Sequence, residues 1–236
     1  MNKDIIIFHK IKFYNKNFTN LFNKISKGGY LVAPAASSLS QIHNDEKYYN
    51  AIKNSNIAIF DSGFFCILLR LFHLKKIKKF SGLLFLRNFI ANPIAHRHLL
   101  LTVDPNRTES KKNHKFLRNR NFSKIVTYIA PNYSNSTSKM DVKLILLIKK
   151  IKPKYILINI GGGTQEVLAE YLYNHINKKI SILCLGAAIA FLTGSQARIS
   201  NRMDKFYLGW FARFVHAPKK YIFRILVSFS LIKLFF

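Results

Sequence analysis

The chain has 236 residues, 49% of them hydrophobic, enough for one large α/β core and too many for an intrinsically disordered protein. Its 38 Lys+Arg face only 10 Asp+Glu, a formal net charge of +28 that suits polyanions: nucleic acid, anionic headgroups or phosphorylated substrates. The two cysteines, Cys66 and Cys184, sit singly in apolar runs, which argues against a disulfide framework or a cysteine-rich zinc site.

In chain order, the first apolar run is broken by His9, Lys10 and Lys12 and has no small-residue cleavage site, so it is not a signal peptide. That reading places the chain inside the cell. Residues 29–34 (GYLVAP) read as a strand, and 45–54 as a helix presenting Tyr48, Tyr49, Ala51 and Ile52. A strand at 55–62 (SNIAIFDS) leads into an apolar helix at 63–73. Strands follow at 98–105 and 124–131, separated by a polar basic stretch, 105–123, expected to be the least ordered and to hold at most a short helix. Residues 139–151 place Met140, Leu144, Leu147, Ile148 and Ile151 on one helical face. The last strands, 155–163 and 181–186, flank a helix at 165–177.

These strand runs are continuous rather than alternating, as in strands covered on both faces. Strands alternating with helices predict a Rossmann-like, mostly parallel sheet with helices on both faces, binding its ligand beyond the strands' carboxyl ends. From about residue 197 the composition changes to basic residues interleaved with large aromatics, and the chain ends FRILVSFSLIKLFF. This predicts an α/β domain over 1–196 and a basic, membrane-facing helical appendage over 197–236. Each Lys or Arg near an anionic surface adds ~1 kcal/mol of attraction. The alternative is a helix packed on the domain with its basic ends snorkelling outward. No stretch reaches the ~20 apolar residues needed to span a bilayer.

Three segments are candidates for chemistry. Asp61 lies at the carboxyl end of a strand, where it is either a general base or the N-cap of the helix over 62–72. Gly161, Gly162 and Gly163 follow a strand and allow a tight turn with close ligand approach; Thr164 is a candidate cap of the next helix. At that helix start, Gln165 and Glu166 are placed to bind sugar hydroxyls. Neither a P-loop nor the dinucleotide fingerprint is present. The third segment, GAAIAFLTG from Gly186, has small residues suited to close packing on a ligand or on the core. The eight His fall in no ligand spacing and no Asp-X-Asp exists, so a metal-independent site with no cofactor is expected. A sugar-nucleotide transferase with such a site would have to neutralise its diphosphate leaving group with Arg, Lys and backbone N–H groups, for which Arg198, Arg202 and Arg213 are available.

The order Asp61-Ser62-Gly63, Gly161-Gly162-Gly163-Thr164-Gln165-Glu166, GAAIAFLTGSQARIS and LGWFARFVHAPKKY resembles the WecG/TagA/CpsF glycosyltransferases (glycosyltransferase family 26) over about residues 30–225. The resemblance implies an inverting enzyme that moves an N-acetylhexosamine-like sugar from a UDP-sugar to a polyprenyl-diphosphate-linked acceptor in cell-surface polysaccharide synthesis. It implies a peripheral position at the inner face of the cell membrane, and leaves a homo-oligomer open. Asp61 falls at the family's base and Gln165–Glu166 on its site-lining pair. Lys79 stands where the family has an Arg before a Gly, and Arg198, Arg213 and Arg224 fall near its C-terminal arginines. The family's Thr-Pro-Asn is here Ala33-Pro34-Ala35. The rivals are a basic nucleic-acid-binding protein, which lacks any recognisable binding motif, and a non-catalytic sugar-nucleotide scaffold.

Overall fold

The computed structural model describes residues 4–73, 77–133, 141–196 and 218–236. Eight strands form one sheet: β1 (Ile5–Phe8), β2 (Ile11–Tyr14), β3 (Gly29–Val32), β4 (Ile57–Ala58), β5 (Leu100–Asp104), β6 (Ile125–Ile129), β7 (Tyr155–Ile158) and β8 (Ser181–Cys184). Their order is β1-β2-β4-β3-β8-β7-β5-β6, parallel throughout except for the antiparallel β1–β2 pair.

Successive strand residues enter opposite cores, as the period of two requires. Tyr30, Val32, Ala58, Phe60, Ile156, Ile158, Ile182 and Cys184 meet α3 (Glu46–Lys53), α4 (Gly63–His73), α8 (Val142–Ile151) and α9 (Thr164–His175). Leu31, Ala33, Ile57, Ile59, Tyr155, Leu157, Leu183 and Leu185 meet α1 (Phe18–Ile25), α5 (Gly82–Ala91) and α10 (Ala188–Thr193). Burial on both sides is why the strands read as unbroken apolar runs. After β3 the chain turns to α2 (Ala36–Leu39) and α3 on one face, and after the adjacent β8 to α10 on the other. Neighbouring strands that send their connections to opposite faces leave a crevice at their carboxyl ends.

Two regions depart from the sequence reading. The stretch 105–123 holds a three-turn helix, α7 (Arg107–Arg118), where a short one was expected. Asn106 caps it by accepting the Glu109 N–H at 2.9 Å, and its buried face is Ser110, Asn113 and Leu117. Two of those three are polar, so no apolar period marks the helix. The N-terminal run is a hairpin whose turn places His9 and Lys10 at φ 45° and 63°, left-handed angles reached without the Asn-Gly or Asp-Gly pair that usually marks such a turn. A short helix, α6 (Pro93–His96), follows α5.

At the C-terminus, α11 (Pro218–Phe229) runs into a 3-10 turn over Ser230–Phe235. Leu231 is fully buried, and the Phe235 ring lies 4.9 Å from Phe8 and 5.3 Å from Phe72. His9 Nε2 meets the Leu234 carbonyl at 2.8 Å. The expected boundary at residue 197 lies outside the described residues. Among those described, no helix is long and apolar enough to cross a membrane.

Candidate functional site

A cavity of about 730 Å³ opens over the carboxyl ends of β3, β4, β5, β7 and β8, walled by the starts of α4, α9 and α10 and by α11. One end is set by Asp61, half-buried three residues beyond β4. The cap of α4 is Ser62, whose Oγ accepts the Phe65 N–H at 3.2 Å. Asp61 points elsewhere: its Oδ1 accepts the Gly82 N–H at 2.8 Å, at the first residue of α5. An orphan N–H and the positive end of a helix dipole thus hold a carboxylate at the cavity wall. Gly82 makes this approach feasible, because a Cβ there would sit 3.1 Å from the Ala33 Cβ and 3.2 Å from the Leu185 carbonyl. Lys79, half-buried, and Arg224, on α11, line the same cavity.

The floor is the glycine turn after β7. Gly161 and Gly162 line the cavity, and a Cβ on Gly161 would meet no protein atom within 4 Å. Its φ is not left-handed, so neither packing nor backbone strain demands glycine there. The empty side-chain position widens the cavity instead. Gly163, not Thr164, caps α9, and neither is part of the cavity wall. Glu166 reaches back from the third helical position, its Oε2 accepting the Gly163 N–H at 2.6 Å. Its Oε1 accepts from Gln165 Nε2 at 2.8 Å, and Gln165 Oε1 accepts the Gly186 N–H at 3.0 Å. This chain of three bonds ties the turn after β7 to the turn after β8. Gln165 and Glu166 line the cavity with only 1% of their surface exposed, so their bonds to one another and to the two turns dominate their surroundings. Burial pushes the Glu166 carboxyl up to about 7, against the downward pull of the bonds from Gln165 and Gly163.

The far end lies over β5 and β7. Asp104, the last residue of β5, is fully buried and collects three side-chain donors: Thr102 Oγ1 at 2.8 Å, Asn113 Nδ2 at 2.7 Å and Asn159 Nδ2 at 2.8 Å. Asn159, one residue past β7, forms part of the cavity wall together with Pro105 and Ile160. Neither Asp104 nor Asn159 stands out in the sequence as a site residue. The available signal is a polar residue closing an otherwise apolar strand, the same feature that marks Asp61.

The structure therefore brings Asp61, Lys79, Gly161, Gly162, Gln165, Glu166, Gly186 and Arg224 to one cavity. Arg198, Arg202 and Arg213 lie outside the described residues. Both cysteines are buried free thiols; burial raises Cys66 to about 12, with Arg70 and then Lys79 pulling it down, and raises Cys184 well above its ordinary value. Among the described residues no three His, Cys, Asp or Glu side chains gather as a metal-ligand set.

Beside the cavity mouth, α11 exposes Ile222, Phe223, Leu226 and Phe229, and α4 exposes Ile67 and Leu71. The Phe64 and Phe229 rings meet edge-on at 5.5 Å and join the two helices there.

Over residues 6–235 the sequence matches a family described as Glycosyl transferase WecG/TagA/CpsF family. No curated protein matches it.

Proposed function

The chain belongs to the glycosyl transferase WecG/TagA/CpsF family, and from that premise we propose that its cavity binds a UDP-sugar and transfers the sugar to a polyprenyl-diphosphate-linked acceptor. It is a glycosyltransferase, of a family that fits cell-surface polysaccharide synthesis. The observation that carries the finer reading is the gathering of the Asp61 carboxylate, the cations of Lys79 and Arg224 and an open glycine floor in a single cavity.

In this reading the diphosphate lies over Gly161 and Gly162, and Lys79 and Arg224 supply positive charge to it. The sugar sits at the Asp61 end. The acceptor hydroxyl oxygen attacks the anomeric carbon from the side opposite the diphosphate. As that C–O bond forms, the bond from the anomeric carbon to the β-phosphate oxygen breaks, and its electron pair leaves with UDP. The hydroxyl proton passes to the Asp61 carboxylate, and the anomeric configuration inverts. The Gly82 N–H fixes the direction of the Asp61 carboxyl group at the cavity wall. No step uses a metal, so transfer is expected to continue in EDTA; loss of activity in chelator, restored by Mg²⁺ or Mn²⁺, would contradict that.

The apolar stripe of α11 and the neighbouring residues of α4 support a peripheral contact with an anionic membrane. With the cavity mouth beside that stripe, a lipid-linked acceptor reaches Asp61 without leaving the bilayer surface. The test is a screen of UDP-sugars for binding, followed by transfer to a short polyprenyl-diphosphate sugar. Transfer with release of UDP supports the proposal; UDP-sugar binding with neither transfer nor hydrolysis would favour a non-catalytic scaffold.

A further inference from the structure

We infer that Asn159 reads the nucleobase of the donor, its Oδ1 accepting the imide N3–H of the uracil, with Asp104 as the residue that fixes the amide's direction. The inference rests on the UDP-sugar reading above and assigns one end of the cavity to one part of that ligand.

Four observations carry it. First, Asn159 is only 7% exposed and is part of the cavity wall, so what little surface it has faces the ligand space. Second, its side chain makes one hydrogen bond among the described residues, from Nδ2 to Asp104 Oδ1. The carbonyl oxygen of the amide makes none. That oxygen is not sealed off, since among the described residues the buried side-chain atom without a partner is Tyr48 Oη, so Asn159 Oδ1 keeps surface through which a ligand can donate to it. Third, the amide is not free to turn over. A carboxylate only accepts, and Asp104 is already surrounded by three donors, so Nδ2 is held toward it and Oδ1 away from it. Thr102 and Asn113 keep Asp104 in place through bonds of 2.8 and 2.7 Å within the buried layer under α7.

Fourth, the spacing fits. Asn159 follows β7 and Asp61 follows β4, and the order β4-β3-β8-β7 separates them by three strand spacings, about 14 Å. The glycine floor lies between, so an extended ligand with its diphosphate on the floor and its sugar at Asp61 puts its base at Asn159. Pro105 and Ile160 line the same end and offer apolar walls to the faces of a ring. Asn159 is thus a specificity residue for the donor, and Asp104 a positioning residue that acts through it.

The decisive probe is UDP against its N3-methyl analogue, which lacks the imide hydrogen, measured by titration calorimetry on the full chain. The wild type is expected to bind UDP about tenfold more tightly than N3-methyl-UDP, the worth of one buried hydrogen bond with its orphaned acceptor. Asn159→Ala should weaken UDP by a similar factor and bind the two ligands equally. Asp104→Asn, with an amide in place of the carboxylate, should lose much of the discrimination while keeping a cooperative thermal transition. Equal binding of both ligands to the wild type overturns the inference and leaves the donor reading standing, as does full discrimination by Asn159→Ala. If UDP does not bind the wild type, the donor reading falls and the inference with it.

Discussion

Asp61 and Asp104 are both carboxylates at the carboxyl ends of parallel strands, four strand positions apart in one sheet, yet the fold uses them in opposite ways. Asp61 is half-buried, faces the cavity and accepts from a backbone N–H at a helix start. Asp104 is fully buried, lies behind the cavity wall and is enclosed by Thr102, Asn113 and Asn159. Position at the rim of the sheet does not make an aspartate a working group; its donors and its access to the cavity decide. One carboxylate lines the cavity, while the other lies behind its wall and holds an amide.

The largest consequence is in stability. Asp104→Ala orphans three buried donors at once and should cost about 4 kcal/mol of unfolding free energy, against about 1 kcal/mol for Asp61→Ala, in chemical denaturation. Equal costs for the two would erase the distinction. Next comes the third carboxylate of the site. The folded-state value of Glu166, about 7, lies above its ordinary 4.5, so the folded form holds the proton more tightly than the unfolded chain. Stability from this group is present below pH 4.5 and is lost as pH rises through 7. Across that window the wild type should lose about 3 kcal/mol more than Glu166→Gln, which cannot titrate. Parallel stability curves for the two proteins would contradict the assignment.

Two smaller effects sharpen the contrast between ligand space and packing. Gly161→Ala fills open space, not a contact, so its melting temperature should stay within a degree or two of the wild type while UDP-sugar affinity drops about tenfold. A large loss of stability with normal affinity would make Gly161 a folding residue. Phe223→Ser, on the exposed stripe of α11, should lower affinity for anionic vesicles about fivefold and leave transfer to a water-soluble acceptor unchanged. Unaltered vesicle binding would remove α11 from the membrane contact.

Much of the architecture was legible because both faces of the sheet are buried: GYLVAP, HLLLTVDP and YILINI read as strands by apolar continuity alone. The helix α7 was not, since it turns the polar Ser110 and Asn113 inward, Asn113 to donate to Asp104, and carries no apolar stripe. The N-terminal hairpin escaped for a different reason, its left-handed turn being made by His9 and Lys10 rather than by Asn-Gly. Within the site, Asp61 and the glycine turn could be singled out from strand-end position. The identity of the α4 cap could not, because choosing between Asp61 and Ser62 depends on where α5 places the Gly82 N–H. Thr164 shows the same limit: it sits one residue inside α9, and the cap falls on Gly163. Asn159 lies within an apolar strand run, and only the long-range bond to Asp104, 55 positions away, gives its amide a direction.

The central claim is that Asp61 takes the proton of the attacking hydroxyl, and Asp61→Asn tests it most directly, with the near-identical shape retained. Transfer from UDP-sugar to the lipid-linked acceptor should drop about 10²–10⁴-fold, the range expected for removing a general base. UDP-sugar affinity and the thermal transition should stay close to those of the wild type. Transfer at the wild-type rate by Asp61→Asn would contradict the account.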